Sequence, residues 1–427
     1  MHNILKFITI IFLIILTGCI SDNEVLPSHQ EGIFAKDALL QDFDQLVDII
    51  KSSPPKAFTD MSKFAHVAES QRLKISDMSR YEFYKLLAPV VAAVDCGHTK
   101  IKYPVGYLQE ERYYFPFAVK VINSELYIFK NSYNTNIPEG SKIHSINNRD
   151  SAEIIDILYS SMPSDGSNET RKEFQLNQNF SDYYHNYFEA PEQFRISYTA
   201  PGGTDLITEV IEPNKSKFIM EDAPGLDNYF FTENYAVLRV KYFKYMSSKT
   251  IDSFFTTLKQ NGSTNLILDL RGNPGGFADH ANILLSYLMD ESFYFYSDDQ
   301  EGFDHLALEK TVIKENAFKG KLFIMTDGGC FSSTGFVLSH LKNNPNVTIV
   351  GQESGGGYKC NGYAVKERLQ NTQIALINAQ VVGTTSVEGL ESGRGVMPDI
   401  EVNYTIEDYL LGKDLEFERI LEMINSL

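Results

Sequence analysis

Two turns rich in glycine carry the groups that an acyl-transfer reaction needs. The first turn, residues 271–276 with the sequence Arg-Gly-Asn-Pro-Gly-Gly, follows a short apolar run at residues 266–270. The second turn, residues 328–335, contains two adjacent serines, Ser332 and Ser333. A serine hydroxyl can act as a nucleophile, and glycines let backbone N–H groups approach a developing oxyanion closely. A glycine-rich turn alone is more often only a turn, so a catalytic role requires that the two turns meet.

The second turn lies between a predicted strand at residues 321–326 and a predicted helix. A serine at the start of a helix faces unsatisfied N–H groups and the positive end of the helix dipole. At this point Ser332 or Ser333 is therefore either a nucleophile or a simple N-cap residue.

A candidate general base lies in Asp95-Cys-Gly-His-Thr99, where His98 belongs to a turn that contains a glycine. Histidine suits the task because a pKa near roughly 6.5 leaves it largely neutral at about pH 7. The chain has nine histidines, and one taken at random is usually a surface or packing residue. His280, just after the first turn, is the second choice.

The two turns, in this order, resemble the C-terminal processing (tail-specific) serine peptidase family. Residues 331–335, Phe-Ser-Ser-Thr-Gly, lie over the family's nucleophile turn, which favours Ser332. The best-known members take their base from a lysine in a Thr-Phe-Gly-Lys-Gly segment, and at the matching residues 351–357 this chain has glycine in place of that lysine. Residues 95–99 resemble the family's Asp-Gly-His-Thr segment. In the tricorn-like branch, which also lacks the lysine, that histidine is the base, so the resemblance implies His98 in this role.

The remaining groups of the site are predicted in the same way. The tricorn-like branch orients its histidine with a glutamate from a later loop, where Glu391 fits the spacing best and Glu388 is the fallback. Either glutamate can instead be a solvated loop charge. The expected oxyanion donors are the backbone N–H of Ser333, which is also the fallback nucleophile, and one from Gly275 or Gly276.

Two other interpretations stay open. One keeps Ser332 but uses Lys359, which lies outside the motif, as the base of a serine–lysine pair. The other is a catalytically inactive peptide- or ligand-binding lipoprotein on the same fold.

The sequence has no His-Glu-x-x-His, no Cys-x-x-Cys pair, no calcium loop and no nucleotide-binding fingerprint, so neither a metal nor a cofactor is expected. Asp269 and Arg271 are expected to brace the first turn, either by a charge-assisted pair or by hydrogen bonds to the backbone.

Hydrophobic periodicity divides the mature chain into three regions. Residues 34–104 predict an N-terminal helical domain, in which Pro89 should kink or divide the second helix. Residues 105–212 change to alternating, β-branched runs and resemble the PDZ-like domain of the family, although Asn148 replaces the usual turn glycine. The alternative for this region is a β-rich spacer without peptide affinity. Residues 213–427 alternate strands with helices, which predicts an α/β core. The resemblance narrows that core to the ClpP/crotonase-like β/α spiral.

The N-terminus resembles a bacterial lipoprotein signal peptide. Residues 1–18 combine a weakly basic head with an apolar run that is too short for a membrane span, which needs roughly 20 residues. The run ends at Leu16-Thr-Gly-Cys19, so Cys19 is predicted to be lipidated, and residues 19–33 form an acidic tether. The protein is therefore expected in the cell envelope, lipid-anchored on the periplasmic or cell-surface side of a bacterial membrane.

Net charge and cysteine content bear on two further questions, which are a nucleic-acid partner and a disulfide bridge. The formal net charge of −18 argues against a nucleic-acid partner, because a phosphate backbone would be repelled. After lipidation of Cys19 three cysteines remain, so Cys330 and Cys360 either form one bridge or stay buried thiols. The sequence thus predicts a lipid-anchored serine endopeptidase acting on polypeptides, and it does not indicate an oligomeric state.

Overall fold

A computed structural model describes residues 32–104, 113–131, 135–214, 229–244, 248–297 and 305–426. The predicted signal peptide, the predicted lipidation site Cys19 and nearly all of the predicted tether lie outside the described residues. Within the described ranges, no helix is long and apolar enough to cross a membrane.

The N-terminal region contains three helices and three short strands. They are β1 (Ile33–Phe34), α1 (Lys36–Ser52), α2 (Met61–Arg72), β2 (Met78–Ser79), α3 (Arg80–Ala92) and β3 (Lys100–Lys102). Helix α3 begins with a capping box between Ser79 and Glu82. The predicted division at Pro89 is wrong, because α3 runs through it as one helix. Pro89 removes one N–H donor, but its carbonyl still accepts the N–H of Ala93 at 3.1 Å.

The middle region is an antiparallel sheet with two helices. Its elements are β4 (Ala118–Ile122), β5 (Glu125–Lys130), β6 (Lys142–Ile146), β7 (Arg149–Asp150), α4 (Ser151–Ser161), α5 (Thr170–Tyr187), β8 (Phe194–Thr199) and β9 (Ile207–Ile211). The strand order is β4-β5-β6-β8-β9, and β7 pairs with β6. In the turn between β6 and β7, Asn147 and Asn148 have φ values of 51° and 63°. Asparagine tolerates this left-handed conformation, so Asn148 replaces the expected glycine without disrupting the turn.

The C-terminal region alternates strands and helices, as predicted. Its elements are β10 (Tyr229–Phe231), β11 (Ala236–Arg239), α6 (Ser248–Gln260), β12 (Asn265–Asp269), α7 (Ala278–Leu285), α8 (His305–Leu308), β13 (Lys321–Thr326), α9 (Ser333–Lys342), β14 (Val347–Gly351), β15 (Lys359–Arg368), β16 (Ala375–Thr384), β17 (Ile400–Glu401), α10 (Ile406–Leu410) and α11 (Leu415–Asn425). A six-stranded sheet of order β10-β11-β12-β13-β14-β17 forms its centre. All neighbouring pairs from β11 to β17 are parallel, and only β10 is antiparallel.

Apolar side chains cover both faces of this sheet. One face packs against α6, α7 and α9, and the other packs against α11. Because β12 and β13 are neighbouring parallel strands, the turns that follow their carboxyl ends lie side by side at one edge. These turns are the two glycine-rich segments.

The hairpin β15–β16, which was not predicted, links the C-terminal region to the N-terminal helical region. Strand β16 pairs with β3, so that Leu376 lies opposite Ile101. Hairpin residues Leu369 and Ile374 share one apolar core with α1 and α3. The pairing of β3 places the preceding turn, which carries His98, against the C-terminal region.

The predicted fold class is confirmed as α/β, with a mostly parallel sheet that is covered by helices on both faces. The predicted domain boundaries stay predictions. They fall beside residues 105–112 and 215–228, which lie outside the described part of the chain.

Candidate active site

Ser332 ends the turn between β13 and α9 in a backbone conformation that is unusual for serine. Its φ is 57° and its ψ is −126°. Such a conformation costs a non-glycine residue of order 1–3 kcal/mol, and it persists only where the surrounding structure holds it. Helix α9 begins at Ser333, so Ser332 lies at a helix N-terminus, where negative charge is favoured. The Ser332 side chain makes no capping hydrogen bond within the described structure, which disfavours the N-cap alternative.

Two glycines hold this turn by close packing. A Cβ atom at Gly275 would lie 2.6 Å from the Phe331 carbonyl oxygen and 2.8 Å from Ser332 Cβ. A Cβ atom at Gly356 would lie 3.0 Å from the Ser332 backbone nitrogen. The first glycine-rich turn therefore packs directly onto the turn that carries Ser332.

His98 lies between α3 and β3 and reaches the same turn. Its Nε2 is 3.1 Å from Ser332 Oγ, although the two residues are 234 positions apart. The imidazole ring stacks on Phe331, with centroids 4.6 Å apart. Gly97 makes room for this arrangement, because a Cβ there would lie 2.6 Å from the Phe331 ring. The structure thus brings together the predicted nucleophile and the predicted base.

The electrostatic surroundings keep His98 neutral. Burial lowers the pKa of His98 to about 3, and the positive charges of Lys100 and Arg171 add to this effect. At neutral pH the ring therefore carries a single proton. When that proton is on Nδ1, Nε2 is free to accept the Ser332 proton.

Two backbone N–H groups beside Ser332 are available to an oxyanion. Among the described residues, the N–H groups of Gly276 and Ser333 donate to no hydrogen bond. The N–H of Gly275 instead donates to Asn273 Oδ1 at 2.9 Å, so of the two glycines named as alternative donors Gly276 has the available N–H. Ser333 Oγ donates to the Gly276 carbonyl oxygen at 2.8 Å and so ties the two turns together.

The alternative bases do not reach Ser332. Lys359 begins β15, and the thiol of the next residue, Cys360, lies in hydrogen-bond contact with the Ser332 side chain. Successive side chains of a strand point to opposite faces, so Lys359 faces away from Ser332. His280 packs against Phe277, with ring centroids 5.7 Å apart. No hydrogen bond joins Lys359 or His280 to Ser332 in the described structure.

The predicted orienting glutamates also lie elsewhere. Glu391 and Glu388 are both exposed, and neither forms a hydrogen bond with His98 in the part of the chain that the structure describes. Their loop is held by Arg394, whose Nε is 2.9 Å from Glu353 Oε1 and whose Nη2 is 2.6 Å from Glu353 Oε2. The geometry therefore gives no support to the expectation that Glu391 or Glu388 orients the histidine.

Asp165, which the sequence analysis missed, lies beside His98 instead. It belongs to the turn between α4 and α5, and its Oδ1 accepts the Gly97 N–H at 2.8 Å. One ring nitrogen of His98, one carboxylate oxygen of Asp165 and Cys360 Sγ all lie within 4.8 Å of one another. The only sequence signal was a glycine-containing turn, Ser-Asp-Gly-Ser at residues 164–167, which is typical of an ordinary loop.

Arg271 braces the first glycine-rich turn, as expected. Its Nε lies 3.0 Å from Asp269 Oδ1 and its Nη2 lies 3.0 Å from Asp269 Oδ2. Further hydrogen bonds join Arg271 to Asp414 at 2.7 Å and to Glu416 at 3.1 Å. These bonds anchor the start of the turn to the C-terminal helix, so that its glycine end keeps a defined position against Ser332.

The three cysteines that the structure describes form no bridge with one another. Cys96, Cys330 and Cys360 are all buried free thiols. Burial raises the pKa of Cys96 to about 11, so this thiol is protonated at neutral pH. Of the two alternatives for Cys330 and Cys360, the structure therefore shows buried thiols.

Comparisons with known proteins bear on the family and on the fold of the chain. Residues 234–402 match peptidase family S41. The chain has 14% identity to mature CPAF complexed with lactacystin, with a TM-score of 0.69 over 92% of this chain and 99% of that chain. Mature CPAF alone has 13% identity and a TM-score of 0.66, over 92% of this chain and 98% of that chain. At these identities the likeness shows a shared fold, and no curated protein matches the chain.

The family match covers the β12 turn and the Ser332 turn, and the shared fold extends over nearly the whole length of the chain. Over residues 234–402 the chain matches peptidase family S41, and this match indicates a serine-type peptidase.

Proposed function

We propose that the protein is a lipid-anchored, extracytoplasmic serine endopeptidase that hydrolyses unfolded or C-terminally recognised polypeptides through an acyl-enzyme. The observation that carries the proposal is the distance of 3.1 Å between His98 Nε2 and Ser332 Oγ. It lies within the reach of a hydrogen bond from a nucleophile to its base.

The reaction follows from these positions. Ser332 Oγ attacks the scissile carbonyl carbon while its proton passes to His98 Nε2. The carbonyl oxygen becomes an oxyanion, which the N–H groups of Gly276 and Ser333 stabilise. Collapse of the intermediate breaks the C–N bond, and the imidazolium gives its proton to the leaving amine. Water then hydrolyses the ester, with His98 again acting as the base and Ser332 released.

The middle region supports a polypeptide substrate. In the part of the chain that the structure describes, strand β9 forms an edge of its sheet and pairs with β8 alone. Ile207 and Val210 on this strand are 39% and 51% exposed. An edge with unpaired backbone groups and exposed apolar side chains suits the addition of an extended peptide as a further strand. We assign this region the recruitment of the polypeptide or of its C-terminal end.

An activity-based probe tests the proposed chemistry. A fluorophosphonate should label the folded protein, and mass spectrometry should place the adduct on Ser332, because this hydroxyl lies beside a base and two free N–H groups. Heat-denatured protein is the control and should not react. Casein cleavage by the same preparation should be abolished by the label. An adduct on Ser333, or cleavage that persists after complete labelling, contradicts the assignment of Ser332.

The anchor is tested separately, because it depends only on the N-terminal sequence. In a bacterial host, the mature chain should carry lipid on Cys19 and should fractionate with membranes. Cys19→Ser should abolish the lipid mass and release the chain from the membrane fraction while leaving cleavage of casein unchanged. A wild-type chain that retains residues 1–18 and carries no lipid contradicts the anchor but not the peptidase.

A further inference from the structure

We propose that Asp165 is the residue that positions His98, by accepting a hydrogen bond from its Nδ1–H directly or through one water. The inference rests on the proposed function and deepens it, because it names the third member of the catalytic set. It also makes the middle region part of the active site.

His98 and Asp165 each have one buried polar atom without a hydrogen-bond partner among the described residues. His98 uses Nε2 on Ser332, and its Nδ1 is buried without a hydrogen-bond partner among the described residues. Asp165 uses Oδ1 on the Gly97 N–H, and its Oδ2 is likewise buried and unpaired there. Buried polar atoms are rarely left unpaired, since each costs about 1–3 kcal/mol.

The two residues are close enough to satisfy each other. A ring nitrogen of His98 and a carboxylate oxygen of Asp165 lie within 4.8 Å. This separation admits one bridging water or closes by a small rotation of the ring, and catalytic hydrogen bonds often tighten only in the complex with substrate. A carboxylate at Nδ1 keeps the ring proton on that atom, which leaves Nε2 unprotonated and aimed at Ser332.

The loop that carries Asp165 is held in place on several sides. The Gly166 N–H donates to the Asp95 carbonyl oxygen at 3.1 Å, in the turn that leads to His98. A Cβ at Gly166 would lie 2.4 Å from Gly393 Cα, so only glycine fits there. Asn168 Nδ2 donates to the Ser354 carbonyl oxygen at 2.7 Å. The loop therefore contacts both the N-terminal and the C-terminal region. These contacts give the Asp165 carboxylate a defined position.

Arg171, which follows this loop at the start of α5, contacts the turn that carries Ser332. Its guanidinium lies 4.4 Å from the centroid of the Phe331 ring, on which His98 also stacks. Arg171 Nη1 donates to the Gly329 carbonyl oxygen at 3.3 Å. One segment of the middle region thus contacts both the base and the turn of the nucleophile.

The surroundings of Asp165 shift its pKa, so its role should appear in the pH dependence of peptidase activity. Burial raises the pKa of Asp165 to about 7, although the Gly97 N–H and the positive charge of Arg171 lower it. The other titratable groups that face it are the neutral thiols of Cys96 and Cys360 and the ring of His98. A carboxylate is needed for positioning, so activity should be present above this pKa and lost as the pH falls through about 7.

Asp165→Asn is the decisive variant, because its amide oxygen can still accept the Gly97 N–H. Its amide nitrogen, however, donates to Nδ1 and so selects the tautomer with the proton on Nε2. We expect kcat to fall by about 10²- to 10⁴-fold with little change in KM and in Tm. The acid limb of the residual activity should move below that of the wild type, towards the lowered pKa of His98. Glu391→Gln and Glu388→Gln are the matched controls and should retain wild-type kcat.

Several results would overturn the inference. An Asp165→Asn variant with the kcat of the wild type does so, and so does a large loss of kcat in Glu391→Gln. If Asp165→Asn does not fold, nitrogen-15 NMR of histidine-labelled wild type tests the same point. The spectrum should show His98 with its proton on Nδ1, and a proton on Nε2 contradicts the assignment. Failure of the wild type to cleave casein or to react with the fluorophosphonate speaks against the proposed function. A wild type that passes both assays, beside an Asp165→Asn variant with unchanged kcat, contradicts the role of Asp165 alone.

Discussion

Ser332→Ala should lower kcat for a fluorogenic peptide by about 10⁶-fold, because it removes the only atom placed to form the acyl-enzyme. Substrate binding should survive, since the free N–H groups of Gly276 and Ser333 and the edge strand of the middle region are unchanged. Stopped assays at high enzyme concentration measure the residual rate. Binding of an uncleaved peptide, measured by fluorescence anisotropy, shows whether affinity is kept.

Two neighbouring variants separate this chemical loss from a structural one. Ser333→Ala removes the hydrogen bond to the Gly276 carbonyl oxygen, worth about 1 kcal/mol, so its kcat should fall by no more than about 10-fold. Ser332→Gly should be as inactive as Ser332→Ala but at least as stable as the wild type, because glycine adopts a φ of 57° without strain. Substantial turnover by Ser332→Ala, together with its loss in Ser333→Ala, would reverse the assignment of the two serines.

His98→Ala should produce a loss of kcat of similar size, about 10⁶-fold, because a nucleophile and its base act as one unit. No other described histidine or lysine forms a hydrogen bond with Ser332. The matched control is Lys359→Ala, which removes the base of the rival serine–lysine pair and should retain wild-type activity. Steady-state kinetics on the two variants decide between the pairs, and the opposite pattern would establish Lys359 as the base.

Chemical rescue distinguishes a lost base from a disturbed fold. The His98 ring stacks on Phe331, so its removal leaves a slot of the right shape next to Ser332 Oγ. Added imidazole should restore part of the activity of His98→Ala in proportion to its neutral form. It should restore none in Ser332→Ala, which retains the base but lacks the nucleophile.

Much of the fold was predictable because its signals are local. The strands β12 and β13 and the helices that follow them appear as apolar runs and helical periodicity. Ser332 and His98 were found because each lies within a short motif that can be compared with a family. Their meeting was not predictable from local pattern, since it depends on the pairing of β3 with β16 across the length of the chain.

The features of the site that the sequence did not predict correctly depend on tertiary contacts. Asp165 lies in an ordinary turn of the middle region, and only the folded chain brings it to Gly97. The choice between Gly275 and Gly276 stayed open because the Gly275 N–H is bonded to the Asn273 side chain, a contact that spacing does not reveal. Glu391 matched the family spacing, but its side chain stays exposed while Glu353 holds the loop through Arg394.

The residues of the site are far apart in the sequence, and this spacing has a consequence for when the site can first assemble. His98 emerges from the ribosome early, Asp165 later, and Ser332 later still, while the hairpin that secures the His98 turn is made after all three. A chain that is still being synthesised therefore holds His98 without Ser332, and later holds both residues without the hairpin that secures the His98 turn. Peptide cleavage is therefore expected only after this hairpin has formed and has paired with β3.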